Sequence, residues 1–179
     1  MNAVDTLFDQ LAVLEAHKRR PPVATWQPAR VGRIDIRIAA NGAWYHEGGV
    51  IRRFPLVRLF ASILRRDPDG YCLVTPAEKL LIEVEDAPFI AVDMEAKGVG
   101  REQSLLFQTN VEDCTIADAA HPIRIADVDG EPRPYVMIRD GLEALISRPV
   151  YYRLIDHAVA EGPEIVVYSE GARFVLGRG

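Results

Sequence analysis

Positions 32–40 alternate. Ile34, Ile36 and Ile38 fall on one face and Arg33, Asp35 and Arg37 on the other, which predicts a strand with one side in a core and the other in water. Asn41-Gly42 follows, a pair suited to the positive φ angles of a tight hairpin. Gly48-Gly49 supplies a second turn before Val50-Ile51. The period then changes. Over 55–65, Leu56, Leu59, Phe60, Ile63 and Leu64 trace the stripe of an amphipathic helix, opened by Pro55 and stopped by Asp67-Pro68-Asp69-Gly70. Tyr71–Val74 and Lys79–Val84 return to strand character. Ahead of all this, Val4, Leu7, Phe8, Leu11 and Leu14 predict an N-terminal helix that docks on the protein's own sheet. Pro21-Pro22 stops it, so residues 1–25 read as helix and connector.

The plan recurs later in the chain. Ile36-Arg37-Ile38-Ala39 is matched by Ile123-Arg124-Ile125-Ala126, and Asn41-Gly42 by Asp129-Gly130. Pro149 opens a second helix whose Tyr151, Leu154, Ile155, Ala158 and Val159 repeat the spacing of the first stripe. Strands over 164–168 and 172–176 close the copy, and strands over 89–95, 103–109, 114–117 and 121–126 precede it. The run Glu85-Asp86-Ala87-Pro88 breaks the pattern and marks a boundary. The expected architecture is α+β: a first repeat domain over 26–86 and a second over 87–179, each of mostly antiparallel sheet with one packed helix. The alternative is two ordinary hairpin-plus-helix motifs without common origin.

Composition narrows the function classes. The chain has 179 residues, 49% hydrophobic and 26% charged, with a net charge of −5. That suits a soluble globular protein with a core of its own. It gives no bulk attraction to a nucleic acid polymer or an acidic membrane, although a local basic patch is compatible with it. No stretch has the length of a membrane span, and the N-terminus lacks the basic and apolar regions of a secretory signal, so the expected location is the cytoplasm. Cys72 and Cys114 lack metal-site or redox spacing. There is no P-loop, no nucleophile elbow and no His or Cys at ligand spacing around His17, His46, His121 or His157. No catalytic residue, metal site or cofactor is expected. One acidic arrangement stands against this. Glu83 with Glu85, and Asp93 with Glu95, would converge as hard-cation ligands if their strands paired.

Of the 21 basic residues only Lys18, Lys79 and Lys97 are lysines. Guanidinium clasps phosphate or carboxylate in a fork. Arg37 and Arg124 hold matched places, as do Arg53 and Arg148 just before the two helices. Matched arginines lining one crevice would bind an anion; alternatively each pairs with an acid such as Asp35 or Asp140.

A wider set of segments carries a resemblance: Ile34-Asp35-Ile36-Arg37-Ile38-Ala39, Thr75-Pro76 with Glu78-Lys79, Val84-Glu85-Asp86-Ala87-Pro88-Phe89, Thr109-Asn110, His121-Pro122-Ile123-Arg124 and Tyr151-Tyr152. In this order they resemble the bacterial family called domain of unknown function 1285, from Trp26 to Leu176. The resemblance implies a duplicated core and a C-terminal half superficially like a pleckstrin-homology fold. It also implies a pocket at the domain interface for a nucleotide-based ligand, with a signalling role, and it brings no catalytic residues. The resulting expectation is a non-enzymatic binding protein for a small anionic, nucleotide-like ligand. Arg37, Lys79 and Arg124 would contact phosphates, and Glu85 and Asp86 would accept hydrogen bonds from sugar or base. Asp35, Thr75 and His121, from the same segments, complete the candidate set. The alternatives are a protein-interaction module with no small ligand, and a hydrolase or transferase that uses the carboxylates and a divalent metal.

Overall fold

The computed structural model describes residues 20–179; the helix expected over 4–14 lies outside them. The chain divides into two compact units, one ending at Asp86 and one spanning Ala87–Gly179.

In the first unit a short 3-10 turn, Val23–Thr25, leads to β1 (Arg30–Ile38), β2 (Trp44–His46), β3 (Gly49–Val50), α1 (Phe54–Ser62), β4 (Leu64–Asp67), β5 (Gly70–Val74) and β6 (Glu78–Val84). They form one six-stranded sheet in the order β3-β2-β1-β6-β5-β4. Every pairing is antiparallel except β1 with β6. A parallel pair needs a long crossover, which the β2-to-β5 segment supplies. The alternation of β1 is realised: Ile34, Ile36 and Ile38 are buried, while Arg33 and Asp35 are exposed. α1 turns Val57, Leu59, Phe60 and Ala61 inward, and the Phe60 ring stacks on Trp44 at 6.2 Å.

The hairpin after β1 differs from the expected two-residue turn. Gly42 has φ +87°, but Asn41 keeps a negative φ. The Gly42 N–H donates to Ala39 O at 2.9 Å, and the Ala39 N–H to Ala43 O at 2.8 Å. This is a three-residue loop with glycine in the left-handed place. Two-residue turns with both φ positive occur instead at Glu47-Gly48, Asp129-Gly130, Asp140-Gly141 and Glu170-Gly171.

The second unit comprises β7 (Phe89–Lys97), β8 (Ser104–Thr109), β9 (Cys114–Ile116), β10 (Ile123–Val128), β11 (Glu131–Arg139), β12 (Leu142–Ile146), α2 (Arg148–Asp156), β13 (Val159–Glu161), β14 (Glu164–Ser169) and β15 (Ala172–Arg178). One sheet runs β10-β11-β12-β7-β8-β9, with β12 and β7 parallel; β13-β14-β15 form a second. The repeat is therefore three strands, a helix and three strands: β1–β3, α1, β4–β6, then β10–β12, α2, β13–β15. In the first copy the two halves share one sheet through β1 and β6. In the second copy β10 and β15, the counterparts of β1 and β6, belong to separate sheets; β12, the counterpart of β3, pairs with β7, and β7–β9 have no counterpart in the first.

Each helix has nine residues, with a proline in its first turn. Aligning Pro55 with Pro149 sets Phe60 against Leu154, and both are fully buried. The stripe read from sequence paired Leu59 with Leu154, one position off. Its last members lie outside the helices: Leu64 opens β4, and Val159 opens β13 with 45% exposure.

Gln103, only 2% exposed, ties the start of β8 to the smaller sheet. Its Nε2 donates to Tyr168 O at 2.9 Å, and its own carbonyl accepts from the Glu170 N–H at 3.0 Å. The Leu105 N–H donates to Ser169 Oγ at 2.9 Å. These bonds give buried polar groups partners that neither sheet provides alone.

Candidate functional site

Strand register sets the surroundings of the two matched arginines. Arg37 lies directly opposite Tyr45, and its guanidinium sits 4.4 Å from the centre of that ring. Its Nη1 donates to Glu85 Oε1 at 2.5 Å, while Glu85 Oε2 accepts the Ala40 N–H at 2.8 Å. The Ala40 N–H first, and then the Arg37 guanidinium, hold the Glu85 carboxyl below its usual range. In the second copy Arg124 lies opposite Tyr135, again 4.4 Å from the ring centre. Its Nε and Nη2 clasp Glu143 at 2.9 and 2.7 Å. Both arginines thus pair with a carboxylate, though neither with the acids named from sequence.

The other candidates sit in separate local networks. Lys79 Nζ lies 2.7 Å from Asp67 and 2.8 Å from Asp69, and these two carboxylates, Asp67 foremost, raise its pKa. Thr75 is fully buried and shapes the turn between β5 and β6, where its Oγ1 accepts the Ala77 and Glu78 N–H groups at 3.2 Å. His121 Nδ1 lies 2.9 Å from Asp118 Oδ1, which also accepts the His121 N–H at 2.7 Å. Asp86 is half-buried at the end of the first unit. Asp35 lines a cavity of about 350 Å³ with Arg33 and Glu83, where the β1–β6 pairing shifts register between Arg33 and Arg37. Among the expected residues, the structure brings Arg37 and Glu85 into direct contact.

The strands that carry the acidic pairs do not pair with each other, although the metal alternative required it. β6 pairs with β1 and β5, whereas β7 pairs with β8 and β12. Among the described residues no group of three or more His, Cys, Asp or Glu is placed to hold a metal ion. Asp93 instead accepts from Arg153 at 2.6 Å. Cys72 is buried, and burial pushes its thiol up to about 11, far from thiolate reactivity at neutral pH.

A larger concavity lies in the second unit. The start of β11, the end of β12 and the first turns of α2 enclose about 520 Å³, lined by Arg133, Arg148, Tyr151 and Tyr152 among others. β11 carries Arg133 to one wall. Pro149 starts α2 so that Arg148, Tyr151 and Tyr152 face the other. Arg148 is exposed, and its side chain makes no hydrogen bond or ion pair among the described residues. Tyr151 is half-buried, and desolvation raises its phenol above the usual value. One wall had a signal in the sequence. Arg148 stood out through its match with Arg53 and Tyr151-Tyr152 through the resemblance, whereas Arg133 on the other wall had none.

Among the described residues no helix is long and apolar enough to cross a membrane. Comparison with curated proteins gives no match. Two solved structures are similar. A DUF1285 family protein from Silicibacter pomeroyi DSS-3 shares 48% identity, with a TM-score of 0.86, over 90% of this chain and 89% of that one. A DUF1285 family protein from Shewanella baltica OS155 shares 29% identity, with a TM-score of 0.53, over 68% of this chain and 91% of that one. Two family models also match: the domain of unknown function DUF1285, N-terminal domain, over residues 21–87, and the protein of unknown function DUF1285, C-terminal domain, over residues 88–176. Matched along nearly its whole length in both halves, the chain belongs to the DUF1285 family.

Proposed function

We propose that this protein binds a small anionic ligand of nucleotide size in the concavity of its second unit, without transforming it, and that occupancy serves a sensing or signalling role. The observation that carries this reading is the joint lining of one cavity by Arg133, Arg148, Tyr151 and Tyr152. Its volume of about 520 Å³ falls within the range of ligand pockets. Guanidinium groups suit phosphate or carboxylate, and tyrosine rings offer a face for a planar group. The α2 N-terminus adds a weak favourable field for negative charge. Arg37, Lys79 and Arg124 are poorer anion contacts, because an incoming phosphate would have to displace Glu85, Asp67 with Asp69, or Glu143.

Thermal unfolding against mononucleotides and dinucleotides tests the reading, with calorimetry on any that shift the transition. A ligand at a hundredfold its Kd should add about 2.7 kcal/mol. Arg148→Ala should abolish the shift and leave the unliganded melting temperature in place, because Arg148 is exposed. No response to any nucleotide at millimolar concentration would remove this proposal.

A further inference from the structure

We infer that the ligand of the second-unit cavity carries a guanine base and that the Glu131 carboxylate reads its edge, which rests on the binding site proposed above. Glu131 opens β11 and lines the same cavity as Arg148, Tyr151 and Tyr152. Residues two apart on a strand share a face, so Glu131 stands on the same wall as Arg133, about 7 Å along it.

A carboxylate is out of place in a pocket for a bare anion. It repels phosphate and offers a ligand only acceptor oxygens. Glu131 is not spent as an internal counter-charge either: it is exposed, and its side chain makes no hydrogen bond or ion pair among the described residues. The same holds for the side chain of Arg148 on the facing wall. The cavity thus presents a positive and a negative group, each with its hydrogen-bonding capacity unused. A ligand that satisfies both has an anionic end and, away from it, a group of N–H donors.

The bases meet this demand to different degrees. Guanine sets the N1–H and the N2 amino group side by side, and the two oxygens of one carboxylate accept both at once. Adenine and cytosine offer an amino group beside a ring acceptor, whose lone pair faces the second oxygen. Uracil places its one N–H between two carbonyls. A site built for a pair of donors discriminates against bases that lack one, because an oxygen then loses its water and gains no partner. Tyr152, 60% exposed, supplies a ring on which the same base can stack, the usual complement to edge recognition. An inorganic polyphosphate or a dicarboxylate would use Arg148 and be repelled by Glu131.

Calorimetry of the full chain with GMP, IMP, AMP and UMP decides this. GMP should bind about tenfold more tightly than AMP, and IMP, which lacks only the N2 amino group, should fall between them. Glu131→Gln replaces an acceptor oxygen by an N–H donor. It should remove the preference for GMP, bind AMP no more weakly than before, and keep the melting temperature, because Glu131 is exposed. Arg148→Ala should weaken GMP and AMP alike, since phosphate is common to both. Equal binding of GMP and IMP by the unaltered protein overturns the inference and leaves the binding site standing. So does a preference for GMP that survives Glu131→Gln, or an equal loss of GMP and AMP in that variant. No binding of any of the four at millimolar concentration also overturns it, and removes the site as well where dinucleotides fail with them.

Discussion

The two arginines at matched places keep one contact in common and differ in the other. Arg37 and Arg124 each stack on the tyrosine directly across a hairpin, at the same 4.4 Å. That contact follows from cross-strand pairing, so any hairpin with Arg and Tyr in register reproduces it. The carboxylates come from unrelated places. Glu85 follows β6, the parallel neighbour of β1, and reaches both Arg37 and the Ala40 N–H. Glu143 lies on β12, beyond β11 from Arg124. Sequence repetition therefore preserves local geometry, and each copy obtains its long-range partners from its own sheet. A matched pair of arginines is evidence of common ancestry or plan before it is evidence of a shared site.

The strongest test of the comparison is in the helices. Phe60 and Leu154 hold the same place after their prolines, and both are fully buried. If the two copies bury their helices alike, Phe60→Ala should cost about 3–5 kcal/mol and Leu154→Ala about 2–5 kcal/mol. Denaturant unfolding of the intact chain gives both values. A small loss at Leu154 beside a large one at Phe60 would show that the second copy leans on β7–β9 rather than on its helix.

Gln103 sharpens the same contrast with a smaller effect. It belongs to the segment that only the second unit has, and it supplies the hydrogen bond that Tyr168 O accepts. Gln103→Leu keeps the bulk but leaves that buried carbonyl without its amide, at a cost of about 1–3 kcal/mol. Unfolding by denaturant checks the loss, and hydrogen exchange should locate it in β14 and β8. A uniform loss of protection across the first unit would contradict this assignment.

What was legible in the sequence divides along the same line between local and long-range. The β1 alternation and the proline-led helices can be read because their periods and start signals lie within a few residues. β4 stayed hidden because Ile63 and Leu64 continue the helical spacing of Leu59 and Phe60, although the chain has already turned at Ser62. The Asn41-Gly42 pair signalled a hairpin correctly but not its type, which depends on the Ala39–Ala43 bonds. The partners of Arg37 and Arg124 had no local signal, since pairing between distant strands decides which carboxylate arrives. The large cavity was equally out of reach. Arg133 meets Arg148 and Tyr151 in one lining only once β11 folds back on β12 and α2 turns off its end.

The smallest expected effect separates the two arginine pairs by pH. The Glu85 carboxyl is held below its usual pKa by the Ala40 N–H and by Arg37. A carboxyl with a lowered pKa in the folded state binds fewer protons there than in the unfolded chain. Its contribution is therefore complete above the ordinary glutamate range and fades as pH falls through the lowered folded value. Glu85→Gln removes the charge and leaves an oxygen for the Ala40 N–H. The wild type should exceed this variant in denaturation midpoint at neutral pH, and the gap should close on acidification. The exposure of the pair keeps the gap small, because water and salt screen it. Glu143→Gln in parallel shows whether Arg124 relies on charge in the same way. A gap at Glu85 that persists unchanged at acid pH would mean that packing beside Tyr45, rather than the ion pair, holds Arg37 in place.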